Sequence, residues 1–366
     1  MDRRDFIKVS AVGLAGLSVP GLWNPADACV KRDKYNVVIL GDTHYDDIDP
    51  LKYHAGYSDP NPARDAVHRE EFVRNGQMWV DRCPRLVKRA ACLVDDDTRF
   101  VFQMGDLIQG DTADAATHKC FLDDATNLLK DSIAPDLPFV TVAGNHDVRG
   151  NDDSVCRQAY KEYMTERMSL ELGQEIKDIN FLFRCGPDAF VVIDFNSPNV
   201  SRIKALLEEA GGARHVFVIV HGPAFPFDDT DIYFWYLLGS RADKYADKRR
   251  EVRSLLASLN AIVLCGHTHT TEFLDWRGDG GRITQMTMNS VWSSEDKGQY
   301  NLLSSGADEY GNPQGKTLFD EYRPGIRKYS MADSAGSYKL IVDGPRVLVD
   351  FYAGDSSRRT HRFTLR

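Results

Sequence analysis

Residues 35–44 read Tyr35-Asn36-Val37-Val38-Ile39-Leu40-Gly41-Asp42-Thr43-His44. A short, β-branched, apolar run ends abruptly in glycine, aspartate and histidine. Such a run predicts a strand buried on both faces, with polar, metal-type side chains at its exit. The pattern recurs along the chain. Residues 100–104 run into Gly105-Asp106, residues 138–143 into Gly144-Asn145-His146-Asp147, residues 216–220 into His221, and residues 261–265 into Gly266-His267-Thr268-His269. Residues 189–195 predict one more strand.

Helical stretches separate these strands. They cover residues 70–93, with Pro84 as a break, 121–129, 154–172 and 200–210, which stops at Gly211-Gly212. Another covers 247–259, with an apolar stripe. Ser154 is the expected N-cap of the 154–172 helix and Gly173 its expected end. Alternation of buried strands and helices predicts an α/β architecture. Residues 46–69 read as a polar loop, and 298–325 as a long loop rich in Gly, Ser and Asp. Residues 225–245 form an aromatic-dense insertion carrying Phe227, Tyr233, Phe234, Trp235 and Tyr236. That cluster reads as core or interface in preference to a substrate platform. Past it, 337–342, Asp343-Gly344 and 346–352 read as a hairpin, and 361–365 as an edge strand. This C-terminal piece is expected to complete a sheet.

Polar residues at strand ends carry the chemistry. In open α/β sheets, ligands bind at the carboxyl ends of strands, so Asp42, His44, Asp106, Asn145, His146, His221, His267 and His269 can converge on one crevice. Asp42 with His44, and His267 with His269, have i, i+2 spacing, which on an extended strand places both side chains on one face. Glycine precedes the motif at 41, 105, 144 and 266, permitting tight turns and close backbone approach. Mixed Asp, Asn and His donors suit divalent Mn, Zn, Fe, Ni or Co. Seven donors exceed what one structural zinc needs, and serve two ions if a carboxylate bridges.

Gly41-Asp42-Thr43-His44, Gly105-Asp106, Gly144-Asn145-His146-Asp147, His221-Gly222 and Gly266-His267-Thr268-His269 together resemble, in order, the five blocks of the calcineurin-like metallophosphoesterase superfamily. The resemblance implies a four-layer α/β/β/α sandwich with two mixed sheets. It implies that Asp42, His44 and His269 hold one metal, that Asn145, His221 and His267 hold a second, and that Asp106 bridges them. His146 would act on the phosphoryl group or the leaving oxygen, and Asp147 would orient His146. After Gly105-Asp106 this chain reads Leu107-Ile108-Gln109-Gly110. Protein phosphatases of the superfamily carry Asp-Arg at the last two positions and purple acid phosphatases a Tyr at 109, so Gln109 disfavours both branches.

Composition bounds the remaining classes. The 366 residues carry a net charge of −9, which gives no general attraction to phosphate backbones, and no bulk nucleic-acid binding is expected. Arg3-Arg4 followed by Phe6-Ile7-Lys8, the apolar run 9–23 and Ala26-Asp27-Ala28 resemble a twin-arginine export signal. Residues 1–28 therefore read as a cleaved signal, 35–297 as a catalytic domain, and 298–366 as a loop and hairpin completing it. The expected location is periplasmic or otherwise extracytoplasmic. Cys29, one of seven cysteines, would anchor the chain to a membrane only if lipidated, and Asp27 makes a poor lipoprotein signal. Cys265 reads as buried filler.

His54, His68, His118, His215 and His361 match no block and read as surface or loop residues. Lys248-Arg249-Arg250 reads as a solvated helix face. The expected activity is hydrolysis of a small phosphomonoester or phosphodiester by water activated at two metals. The alternatives are a non-catalytic metal-bound binding protein of the same fold, or a metal-dependent hydrolase of a non-phosphate bond.

Overall fold

The computed structural model describes residues 33–196, 199–225, 235–240, 245–291, 322–332 and 334–366. The twin arginines, Cys29, Phe227, Tyr233, Phe234 and residues 298–321 lie outside them.

Strand β1 (Lys34–Leu40) leads through the short α1 (Leu51–His54) to α2 (Pro62–Asp81) and α3 (Cys83–Ala91). Next come β2 (Thr98–Gln103), α4 (Ala115–Ile133), β3 (Phe139–Thr141) and α5 (Asp153–Leu172). The hairpin β4 (Phe181–Cys185) and β5 (Asp188–Ile193) precedes α6 (Val200–Ala210) and β6 (Val216–Val220). A two-residue pair, β7 (Trp235–Tyr236) and β8 (Gly239–Ser240), precedes α7 (Ala246–Ser258) and β9 (Ile262–Cys265). The remainder is β10 (Thr271–Gly278), β11 (Gly281–Thr287), β12 (Ile326–Ala332), β13 (Gly336–Asp343), β14 (Arg346–Ala353) and β15 (His361–Thr364).

The strands form two mixed sheets, ordered β15-β14-β13-β1-β2-β3 and β12-β10-β11-β9-β6-β5-β4. β1, β2 and β3 run parallel, as do β5, β6, β9 and β11, while the flanking strands run antiparallel. Alternation along the strands builds two cores. Phe190, Val192, Phe217, Ile219, Ile262 and Leu264 turn into one cluster with β1 and β2. Val191, Ile193, Val218, Val220, Val263 and Cys265 turn the other way, onto α6 and α7. On the inner face of the seven-stranded sheet Phe190 stacks on its neighbour Phe217 at 4.7 Å, and Phe183 meets Phe100 of the other sheet at 5.4 Å. Helices α3 and α5 cover β1, β13 and β3. The layers run helix, sheet, sheet, helix, as expected.

Several local expectations need correction. Helix α2 begins at Pro62, inside the stretch read as loop, because Asn61 caps it by accepting from the Ala63 amide and Pro62 occupies its first turn. The helix breaks at Arg82, with Pro84 in the first turn of α3. Asp152, not Ser154, caps α5, accepting from the Ser154 and Val155 amides; Gly173 ends it with φ 61°. Arg249 is not a solvated residue. It is buried, donating from Nε to the Leu237 carbonyl, with its guanidinium 4.1 Å from the Tyr236 ring centroid. Tyr236 itself packs in the outer core. His54, His68, His118 and His215 are buried with hydrogen-bond partners, so the surface reading fails for them. A histidine's position is settled by which neighbours satisfy its ring nitrogens, and those neighbours are distant in sequence.

Candidate metal centre

The two parallel cores meet so that the exits of β1, β2 and β3 in one sheet face the exits of β6 and β9 in the other. Asp42 and His44 follow β1, Asp106 follows β2, Asn145 and His146 follow β3, His221 follows β6, and His267 and His269 follow β9. The structure brings all of them together. His269 Nε2 lies 3.1 Å from Asp42 Oδ2 and 3.2 Å from His44 Nε2. His221 Nε2 lies 3.2 Å from Asp106 Oδ2, 3.2 Å from His267 Nδ1 and 3.3 Å from Asn145 Oδ1. Asp42, His44 and His269 form one group with ligand atoms within 4.8 Å of one another, and Asp106, His221 and His267 form a second. A third such group joins His44, Asp106 and His146.

The i, i+2 expectation needs a physical correction. His44, His267 and His269 do not sit on extended strands; their φ angles are 39°, 74° and 52°. Asp106 is left-handed too, at 49°. Left-handed backbone in non-glycine residues costs about 1–3 kcal/mol each and persists only where the surroundings over-determine it. Here the turns past the strand ends do so. The His44 amide donates to the Asp106 carbonyl, and the His267 amide to the Asp42 carboxylate. Two of the preceding glycines are required by close approach. A Cβ on Gly144 would collide with Asp106, and one on Gly266 with Asp42 Oδ1.

Electrostatics explain why these groups suit cations. Burial drives His44 well below the usual histidine range, helped by the neighbouring His146. Burial, then Arg149, lowers His146 to about 3. Burial opposes the charge on His221, yet the Asp106 and Asp42 carboxylates raise it to about 10. Burial likewise opposes the Asp106 charge, but His221 and His146 hold that carboxylate well below its normal range. The buried acids thus draw positive charge into the site, while the His44 and His146 imidazoles are kept neutral with lone pairs to offer. Nitrogen faces nitrogen at 3.2 Å in both the His44–His269 and the His221–His267 pairs. Borderline divalent ions fit that donor set.

Asp147 differs from its expected role. Its oxygens accept the Ile108 and Gly144 amides at 3.1 and 2.8 Å, so it braces the two loops. The group bonded to the His146 ring is the carbonyl of Gln109, 2.9 Å from Nδ1. Burial, then Asp106, raises Asp147 to about 7.

Sequence reading missed the supports. Trp79 Nε1 donates to the carbonyls of Thr43 and His44 at 3.1 and 3.2 Å. Ser290 Oγ and the Val291 amide both bond the Asp42 carbonyl. Arg149 ion-pairs with buried Asp111 and lies 4.0 Å from Glu71. No motif spacing signals these residues, because they come from α2, from the loop after β11 and from the turn after His146.

The family model described as "calcineurin-like phosphoesterase" matches residues 35–271. No curated protein matches the sequence. Among solved structures, PhoD aligns with TM-score 0.55 and 14% identity, over 92% of this chain and 69% of that one. The purple acid phosphatase PPD1 from yellow lupin (Lupinus luteus) seeds aligns with TM-score 0.56 and 14% identity, over 93% of this chain and 54% of that one. Both likenesses are of fold.

Proposed function

We propose that this chain, which belongs to the calcineurin-like phosphoesterase family and is a metal-dependent phosphoesterase, uses two divalent ions to hydrolyse small phosphomonoesters or phosphodiesters. The observation that carries this reading is the place of Asp106. Its Oδ2 is 3.2 Å from His221 Nε2 and 3.7 Å from His44 Nε2, so one carboxylate reaches both groups of donors. Asp42, His44 and His269 would hold one ion, Asn145, His221 and His267 the other, and Asp106 both. Mn, Zn, Fe, Ni or Co suits these donors. Two such ions held by these residues would supply charge to a phosphoryl group and lower the pKa of a bound water.

The chain's own residues do the rest. With Nδ1 hydrogen-bonded to the Gln109 carbonyl, His146 turns its other ring nitrogen toward the donors, where it can pass a proton to the leaving oxygen or bond a phosphoryl oxygen. Arg149, braced by Asp111, adds a fixed positive charge beside His146. The acidic chain, at −9, favours small esters over polynucleotides. Arg3-Arg4 and the apolar run behind them support export to the periplasm, and lipidation of Cys29 would add a membrane anchor.

The test is to strip the mature protein of metal, restore each ion singly, and assay a chromogenic phosphomonoester beside a chromogenic phosphodiester. Metal-dependent turnover that collapses in His146→Ala and Asp106→Asn is the expected result, and the better ester sets the substrate class. Two bound equivalents without turnover of either ester would overturn the reading.

A further inference from the structure

Gln109, the residue at which this chain departs from two branches of the superfamily, touches both the donor set and His146. Its side chain is buried, with Oε1 3.2 Å from His44 Nδ1 and 2.6 Å from Asn75 Nδ2. Its Nε2 donates to Glu71 Oε2 at 3.2 Å. Its main-chain carbonyl accepts from His146 Nδ1 at 2.9 Å. Glu71 and Asn75 are one helical turn apart on α2, so that helix, which also holds the main chain of Thr43 and His44 through Trp79, reaches the His44 ring through this amide.

The chemistry of these partners leaves one arrangement. A carboxylate offers only acceptors, so the amide nitrogen of Gln109 must face Glu71 and its oxygen must face His44. An oxygen there demands a proton on His44 Nδ1, which leaves the His44 Nε2 lone pair directed at Asp42 and His269. The backbone carbonyl makes the same demand of His146 Nδ1. We infer that Gln109 is the positioning residue that sets the tautomer of His44, through a side chain oriented by Glu71, and that of His146, through its main-chain carbonyl, so that both present Nε2 to the centre. This rests on the two-ion reading above. The Glu71 carboxylate polarises the amide whose oxygen faces His44 Nδ1, the arrangement of an outer partner that fixes a ligating ring. Loss of such an outer partner typically weakens metal binding about 10–100-fold.

A swap of the two side chains tests it. Glu71→Gln leaves a residue that no longer dictates the Gln109 orientation, and Gln109→Glu sets two carboxylates against each other. The double variant Glu71→Gln with Gln109→Glu restores one donor between the pair and one acceptor toward His44. Binding of cobalt(II) alone is measured by chelator competition and by its visible absorption, with thermal unfolding of the apo-proteins as the control for folding. Each single variant is expected to weaken one of two cobalt equivalents about tenfold or more and to alter its absorption, with the double variant recovering both. Turnover, measured separately, should follow the same order. If the wild type binds two equivalents and the single variants match it, or the double variant fares no better than they do, the positioning role is overturned and the two-ion reading stands. If the wild type binds fewer than two, both fall together.

Discussion

The backbone amide of His146 donates to Oδ1 of Asp106 at 2.8 Å, so the turn after β3 hangs on the carboxylate that lies between the two donor groups. Asp106→Asn keeps an acceptor for that amide and removes the charge, whereas Asp106→Ala removes both. Turnover should fall by about two to three orders of magnitude or more in each, the range for losing a group that acts on developing charge. With metal removed by a chelator, only the Ala variant should also unfold at lower temperature. An Asn variant with wild-type turnover would remove Asp106 from the centre.

Gly144→Ala would drive a methyl group into the Asp106 amide and carboxylate. Overpacking of this kind costs about 1–3 kcal/mol, read as a lower denaturant midpoint at unchanged slope. Metal binding should weaken with it, since the displaced carboxylate serves both groups. An alanine variant with wild-type stability and metal content would mean that the β3 exit is looser than its contacts indicate.

Metal itself should stabilise the fold. The centre holds four non-glycine residues at positive φ and two close nitrogen pairs. An ion binding only the folded state adds about 2.7 kcal/mol at a concentration one hundred times its Kd. Thermal unfolding with and without a chelator measures this. Identical midpoints would contradict a metal centre.

His118 predicts how stability depends on pH. Burial lowers its pKa, against the pull of the Asp147 carbonyl, and its ring lies between Thr112 Oγ1 at 2.9 Å and that carbonyl at 2.8 Å. The unfolded chain takes up this proton near pH ~6.5, and the folded chain only below that. Below pH ~6.5 the unfolded state therefore binds more protons, and the contribution present at neutral pH is lost as pH falls. His118→Gln should flatten the decline between pH 7 and 5 relative to wild type. An equally steep decline would locate the sensitivity in other groups.

At the far end of β1, Tyr35 joins the sheets by donating to buried Asp188 at 2.9 Å, and Arg214 bonds the same carboxylate at 3.0 and 2.7 Å. Tyr35→Phe should cost about 1–3 kcal/mol, and Arg214→Ala, which strands a buried charge, about 3–5 kcal/mol. Metal content and turnover per folded molecule should not change. A variant that keeps its stability and loses its metal would show that the two ends of β1 are coupled.

Local pattern alone marks the strands buried on both faces and the polar residues at their exits. A strand covered on both faces must be apolar and β-branched, so residues 35–40 and 216–220 announce themselves, and Asp42 or His221 stands out as serving no packing purpose. Helix α6 is legible to its ends for a similar reason: its stop, Gly211-Gly212, is local. The rest depends on contacts between distant parts of the chain. The His267 amide meets Asp42 across 225 residues of chain, and no local pattern encodes that meeting. The left-handed turns of His44 and His269, the bracing of two loops by Asp147, the burial of His118 and Arg249, and the reach of Glu71 through Gln109 to His44 all follow from which distant partners satisfy a buried polar group. Local sequence sets which residues must leave water. The packing of the two sheets sets what they find when they do.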